Sequence, residues 1–149
     1  MENQFVTYEI ALKLKELGFD EECIASYYTN IKENNTAKYD VRKKLNASFD
    51  YNAFTDEDDS GYIRNSDKEY YISAPLWQQV IDWFREKQNI CINIEPITFD
   101  DEPTYIFEII NLKNGRLLNN ISNSFTDTNE ALEQAILEAL ELIAQNRTK

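Results

Sequence analysis

The spacing of apolar residues changes twice between residues 73 and 145, and this pattern limits the fold more than any other feature of the chain. From 73 to 89 the apolar residues recur three and four positions apart, as in an amphipathic helix. Ile90, Ile92 and Ile94 then alternate with other residues, which is typical of a half-buried strand. From 126 to 145 the helical spacing returns. The second half therefore predicts strands between two helices.

Capping and turn residues set the expected boundaries of these elements. Ser73 is the predicted cap of the first helix, and Asn89 is its predicted stop. Pro96 interrupts the first strand, so 97–99 is expected to be a bulged continuation or an edge. A second strand is predicted over 105–112, and Asn114-Gly115 predicts a hairpin to a third strand over 117–121. The last helix is expected to be capped by Thr126 or Thr128.

The first half predicts fewer elements. A helix is expected over 7–17, ended by Gly18, and a strand over 23–28. Residues 29–68 are rich in Asn, Lys, Asp and Glu, and we expect a long loop or insertion with a short helix near 41–49. The order α-β-insertion-α-β-β-β-α predicts a single α+β domain over residues 1–149. Its antiparallel sheet would have three to five strands and be covered on one face by helices.

Composition excludes several classes of function. The chain has 149 residues, with 15 basic and 27 acidic side chains, a net charge of −12 and no histidine. The negative charge argues against broad binding of nucleic acid or of an anionic membrane. Without histidine, Ser-His and Cys-His catalytic pairs are excluded. No secretory signal or membrane-spanning segment is recognisable, and two cysteines far apart give no disulfide framework, so we expect a cytoplasmic protein.

An acidic loop over 56–67 has the spacing of an EF-hand calcium loop. Oxygen-bearing residues occupy its positions 1, 3 and 5, and Gly61 occupies position 6. Position 12 is an aspartate, which is shorter than the glutamate that usually binds calcium there with both oxygens. The alternative interpretation is an acidic, solvated loop. The candidate calcium ligands are Asp56, Asp58, Ser60 and Asp67.

The order of elements in the second half is also that of double-stranded RNA binding domains. That fold binds RNA through basic side chains near the start of its last helix. Here the corresponding turn contains Asp127, Glu130 and Glu133, which would repel phosphate. We therefore expect no direct binding of nucleic acid.

One segment carries a family resemblance. Residues 72–87, ISAPLWQQVIDWFREK, closely resemble a signature of small uncharacterised proteins encoded by phages and prophages of Bacteroidetes. Residues 7–22 and the helix over 130–143 are also similar to those proteins, so the resemblance covers about half the chain. It implies a phage or prophage accessory protein that acts inside a bacterial cell, and it brings no activity, cofactor or site residue.

These observations lead to two expectations for function. The first is a non-enzymatic protein-binding module that acts on a host or phage protein in the bacterial cytoplasm. A sharper form is counter-defence or host takeover, in which the acidic surface imitates nucleic acid and occupies a basic groove. The second is a small-ligand or calcium-binding module that uses the loop over 56–67. No sequence feature supports an enzyme, and the residues that bind a partner, like the oligomeric state, are not predicted.

Overall fold

The computed structural model describes residues 4–28, 45–47, 65, 71–99, 102–119 and 123–147. It confirms the α+β class. The chain divides into two compact units, residues 1–77 and 78–149, and the prediction of one domain stays a prediction. The described strands form two antiparallel sheets of three strands, in the orders β2-β1-β3 and β4-β5-β6. In chain order the elements are α1 (Tyr8–Glu16), β1 (Ala25–Tyr28), β2 (Leu45–Ala47), β3 (Tyr71–Ser73), α2 (Trp77–Trp83), β4 (Ile90–Phe99), β5 (Glu102–Asn111), β6 (Arg116–Leu117) and α3 (Thr128–Arg147).

The first helix has the boundaries that its sequence predicts. Thr7 precedes α1 with an extended backbone, and Gly18 follows it with a φ of +83°, a conformation that costs glycine little. Ile10, Ala11 and Leu14 are buried on its inner side. The predicted strand after it is also confirmed, as β1.

The insertion contributes a strand where a short helix is predicted. Of residues 41–49 the structure describes only β2, which pairs with β1 from Ala25 opposite Ala47 to Tyr27 opposite Leu45. The helix prediction is therefore wrong for these three residues, because pairing with a neighbouring strand overrides a weak local helical pattern. The rest of residues 29–64 and 66–70 lies outside the described residues.

The second helix begins later than predicted. Ser73 is the last residue of β3, not a helix cap, and it lies opposite Ser26 of β1. The backbone stays extended beyond it, because the Ala74 N–H donates to the Ala25 carbonyl at 2.8 Å. A π-helical turn, Phe84–Gln88, follows α2. Asn89 then ends the helix in the left-handed conformation, with a φ of 56°, as predicted.

The second sheet is built on a long hairpin. β4 and β5 pair continuously from Ile90 opposite Asn111 to Phe99 opposite Glu102. The strand therefore continues through Pro96 without the predicted bulge. Pro96 is tolerated because β4 is the outermost described strand of its sheet, which is the predicted edge alternative. The Asn-Gly hairpin is confirmed, and Gly115 has a φ of +68°.

Helix α3 packs on β4 and β5 and covers one face of this sheet. The cap is Asp127 rather than Thr126 or Thr128, so that prediction is wrong by one residue. The Asp127 Oδ1 accepts hydrogen bonds from the backbone N–H groups of Asn129 (2.7 Å) and Glu130 (3.1 Å). A carboxylate is favoured here because it also faces the positive end of the helix dipole. The buried residues of α3 are Ala131, Ala135, Ile136, Ala139, Leu140 and Ile143.

No helix among the described residues is both long enough and apolar enough to cross a membrane.

Candidate functional site

The face of the second sheet that points away from α3 is partly open. Side chains alternate between the two faces of each strand, and the face under α3 contains the buried residues Ile90, Ile92, Phe107 and Ile109. On the opposite face, every side chain whose exposure the structure describes is at least partly exposed. We call this surface the outer face; it consists of Cys91, Asn93, Glu95, Ile97, Thr104, Ile106, Glu108, Ile110 and Leu117.

An apolar row crosses the outer face at its three-stranded end. Cys91 lies opposite Ile110, and Ile110 lies opposite Leu117. Leu117 is 41 % exposed. The next row pairs Asn93 with Glu108 and is polar. The row thus offers a compact apolar contact bordered by polar groups, which is the arrangement of a small protein interface.

The β5–β6 hairpin extends this row into a tip that is both apolar and cationic. Leu112 is 47 % exposed, and Lys113 and Arg116 are exposed beside it. In the described part of the chain neither cation forms an ion pair. We call residues 112–117 the hairpin tip. Its charge is opposite to that of the chain as a whole.

The backbone of the hairpin tip is held by asparagine side chains. The Lys113 N–H donates to the Asn111 Oδ1 at 2.9 Å, and the Arg116 N–H donates to the Asn114 Oδ1 at 3.0 Å. These two hydrogen bonds restrict the backbone of the tip, which lowers the entropy lost on binding.

The Asn119 side chain forms hydrogen bonds with the backbone of β5, where β6 no longer pairs with it. Its Oδ1 accepts from the Ile109 N–H at 2.7 Å, and its Nδ2 donates to the Phe107 carbonyl at 3.0 Å. Without Asn119, the Ile109 N–H and the Phe107 carbonyl could be paired only if β6 were longer. This is consistent with β6 ending at Leu117, whereas the strand is predicted over 117–121; residues 118 and 119 are not in a strand, and residues 120 and 121 lie outside the described residues. Sequence patterns gave no sign of it, because an asparagine after a strand is normally part of a loop.

The first unit contains a buried group of small polar side chains. Burial raises the pKa of the Cys23 thiol to about 12, opposed by a hydrogen bond with Ser73 and assisted by the nearby charge of Glu21. The Ser26 Oγ is buried and makes no hydrogen bond to any other described residue. A thiol with so high a pKa is a poor nucleophile. We therefore interpret this group as packing, as the sequence predicts for Cys23.

The predicted calcium ligands Asp56, Asp58, Ser60 and Asp67 lie outside the described residues. Asn65 is the one residue of that loop that the structure describes. Its Nδ2 donates to the Phe19 carbonyl at 2.7 Å, and its Oδ1 accepts from the Ser73 N–H at 2.9 Å. Among the described residues, no three His, Cys, Asp or Glu side chains are grouped so that they could hold a metal ion.

Helix α3 also carries an acidic face, formed by Glu130, Glu133, Glu138 and Glu141. Burial raises the pKa of the Glu138 carboxyl, and the neighbouring charge of Glu141 raises it further. Within the described chain none of these glutamates forms a salt bridge. Among the described residues, no ion pair offsets the repulsion between Glu138 and Glu141.

Comparison of the chain with protein-family profiles, with curated proteins and with solved structures finds no match.

Proposed function

We propose that this protein is a non-enzymatic protein-binding module, and that it binds its partner through the outer face and the hairpin tip. The observation that carries the proposal is the exposure of Leu112 and Leu117 beside the apolar row. The resemblance to phage and prophage proteins suggests a host or phage protein of the bacterial cytoplasm as the partner.

The hairpin tip is unusual among the exposed apolar positions. Three large apolar side chains of the described chain are exposed, and two of them, Leu112 and Leu117, flank the same turn. Scattered exposed leucines need no explanation, but grouped ones beside an apolar row are typical of binding surfaces. Lys113 and Arg116 add a preference for a partner that is acidic at the point of contact.

A capture experiment with matched variants tests this function. The tagged chain is used to capture proteins from nuclease-treated bacterial lysate, and the captured proteins are identified by mass spectrometry. We expect the double variant Leu112→Ser/Leu117→Ser to lose a partner that the wild type retains. Leu12→Ser removes the third exposed leucine, on α1, and serves as the control that keeps the partner. If the double variant captures the same proteins as the wild type, the outer face is not the binding surface.

The acidic face of α3 supports a second candidate, imitation of nucleic acid. Burial and the neighbouring charge of Glu141 raise the pKa of Glu138, so the ionised Glu138 carboxylate is held at a cost, and a basic groove would relieve that cost. The partner would then be a nucleic-acid-binding protein, and the complex would weaken as salt rises.

Neutralising two glutamates of this face, beside a control variant of the same net charge, tests the second candidate. Glu138→Gln/Glu141→Gln should abolish capture of a salt-sensitive partner. Glu9→Gln/Glu86→Gln changes the net charge equally at exposed sites elsewhere and should retain it. Equal losses in both variants would point to total charge rather than to α3.

Calcium binding by the loop over 56–67 remains the alternative to protein binding. Calorimetric titration of the whole chain with calcium tests it directly. Heat of binding together with a higher melting temperature would support calcium binding. If no heat is released and the melting temperature does not change, calcium binding is excluded.

A further inference from the structure

We propose that two copies of this chain pair through the free edge of β4 and form a dimer with a continuous sheet of the second units. This goes beyond the proposed function, because the edge is distinct from the outer face. The inference comes from the direction of the backbone groups in β4 and from the symmetry of its first five residues.

The backbone of β5 shows which groups of β4 point outward. The Ile109 N–H donates to the Asn119 side chain, and the Ile109 carbonyl accepts from the Leu118 N–H at 2.7 Å, so Ile109 points away from β4. In an antiparallel pair such residues lie opposite residues that also point away. Ile92 lies opposite Ile109. The N–H and carbonyl of Ile92 therefore face the free edge.

The same alternation applies along the strand. Ile90 and Ile94 share the orientation of Ile92, as do Pro96 and Thr98. In the described chain, the backbone groups of Ile90, Ile92 and Ile94 on this side have no hydrogen-bond partner. Proline has no N–H, so Pro96 ends the edge that another strand could use.

The available edge is unprotected by charge. Residues 90–94 read Ile-Cys-Ile-Asn-Ile and carry no charged side chain. Natural proteins usually protect an edge strand with charge, proline or a covering segment. Glu95 and Pro96 supply that protection from residue 95 onward. An uncharged, β-branched edge before them is suited to pairing with another strand.

A second copy of the same segment fits this edge. The three isoleucines are symmetric about Ile92, so a two-fold axis through Ile92 places it opposite its own copy. Ile90 then lies opposite Ile94 of the other copy, and each such pair exchanges two hydrogen bonds. Isoleucine meets isoleucine at every one of these positions, and Pro96 falls outside the paired segment.

The register makes a specific prediction for cross-linking. Cys91 of one copy lies opposite position 93 of the other, in a pair whose Cα atoms are about 4.5 Å apart, which a disulfide can bridge. Under oxidation, Asn93→Cys should therefore form covalent dimers. Thr98→Cys places a cysteine on the same strand beyond Pro96. It serves as the control and should form few covalent dimers.

A second pair of variants tests the hydrogen bonds. Ile94→Pro removes an outward N–H inside the paired segment, and Thr98→Pro removes one outside it. By analytical ultracentrifugation we expect the wild type and Thr98→Pro to be dimers and Ile94→Pro to be a monomer. Circular dichroism shows whether each variant is folded.

Three results would overturn the proposal. They are a wild type that remains monomeric at high protein concentration, covalent dimers that form no more readily with Asn93→Cys than with Thr98→Cys, and a folded Ile94→Pro that is still a dimer. None of these measurements depends on a captured partner, so they can fail while the proposed function stands.

Discussion

The Asn119 side chain closes a gap in the hydrogen bonding of β5 that the short strand β6 leaves open. Its amide group satisfies one N–H and one carbonyl, on Ile109 and Phe107, and Asn119 itself is buried. Removing the amide leaves both backbone groups without a partner where water has little access. A buried polar group left in this way costs more than the average hydrogen bond contributes.

We therefore expect Asn119→Ala to lower the free energy of unfolding by about 2 kcal/mol. Asn114→Ala is the matched control, because its amide also binds a backbone N–H but lies in water, and its loss should be about 1 kcal/mol or less. Denaturation in urea measures both. Equal losses would show that the position of the amide does not matter.

Cys23 and Cys91 differ in their access to solvent. Cys23 is fully buried with a pKa of about 12, while Cys91 lies partly exposed on the outer face. Near pH 8 the folded protein should react with iodoacetamide at Cys91 and spare Cys23, because the thiolate is the reactive form. Mass spectrometry of the labelled protein checks this. After denaturation, both cysteines should react.

The raised pKa of Cys23 also gives the sign of a pH effect. The folded state holds the thiol protonated, whereas the unfolded thiol ionises near the ordinary value of 9.0. The stability contributed by the neutral thiol is complete below pH 9 and is lost as the pH rises toward 12. Cys23→Ala should lose less stability than the wild type over this range. Parallel alkaline losses in the two proteins would contradict this.

At the scale of elements, the sequence predicted the type of most helices and strands better than the residues at which they begin and end. Alternating isoleucines were sufficient for β4, and the Asn-Gly pair was sufficient for the hairpin between β5 and β6, because a period of two and a specific turn are local properties. The start of α2 was missed, since Ser73 is held in β3 by pairing with Ser26, which lies 47 positions earlier in the chain. Long-range pairing of this kind leaves no local signal. The candidate site was missed for the same reason, because the row of Cys91, Ile110 and Leu117 exists only once the register is known.

The cap of α3 provides a test at this scale. Asp127→Ala should destabilise the protein by about 1 kcal/mol, because two N–H groups of the first turn lose their acceptor. Thr126→Ala and Thr128→Ala, at the positions that sequence favoured, should have effects within about 0.5 kcal/mol. Thermal and urea unfolding of the three variants decide between them. If Thr126→Ala or Thr128→Ala lowers the stability more than Asp127→Ala does, that threonine is the cap and Asp127 is not.

At the scale of the whole molecule, charge opposes association of two copies. Each chain carries a net charge of −12, so a dimer brings two strongly negative surfaces together. The edge over residues 90–94 is uncharged, and it contributes hydrogen bonds and apolar contacts that salt hardly weakens. Salt therefore acts mainly by screening the repulsion between the copies.

The dimer should consequently become tighter as salt rises, whereas a complex made by the acidic face of α3 with a basic partner should become weaker. Sedimentation equilibrium between about 30 mM and 300 mM NaCl covers the range over which the screening length falls from well above to below 10 Å. A dimer that dissociates as salt rises would be held by ion pairs between the copies, and pairing through β4 would then be wrong. Repeating the series with Glu138→Gln/Glu141→Gln separates the two surfaces. Neutralising α3 should tighten the dimer slightly at low salt and remove the salt-sensitive partner.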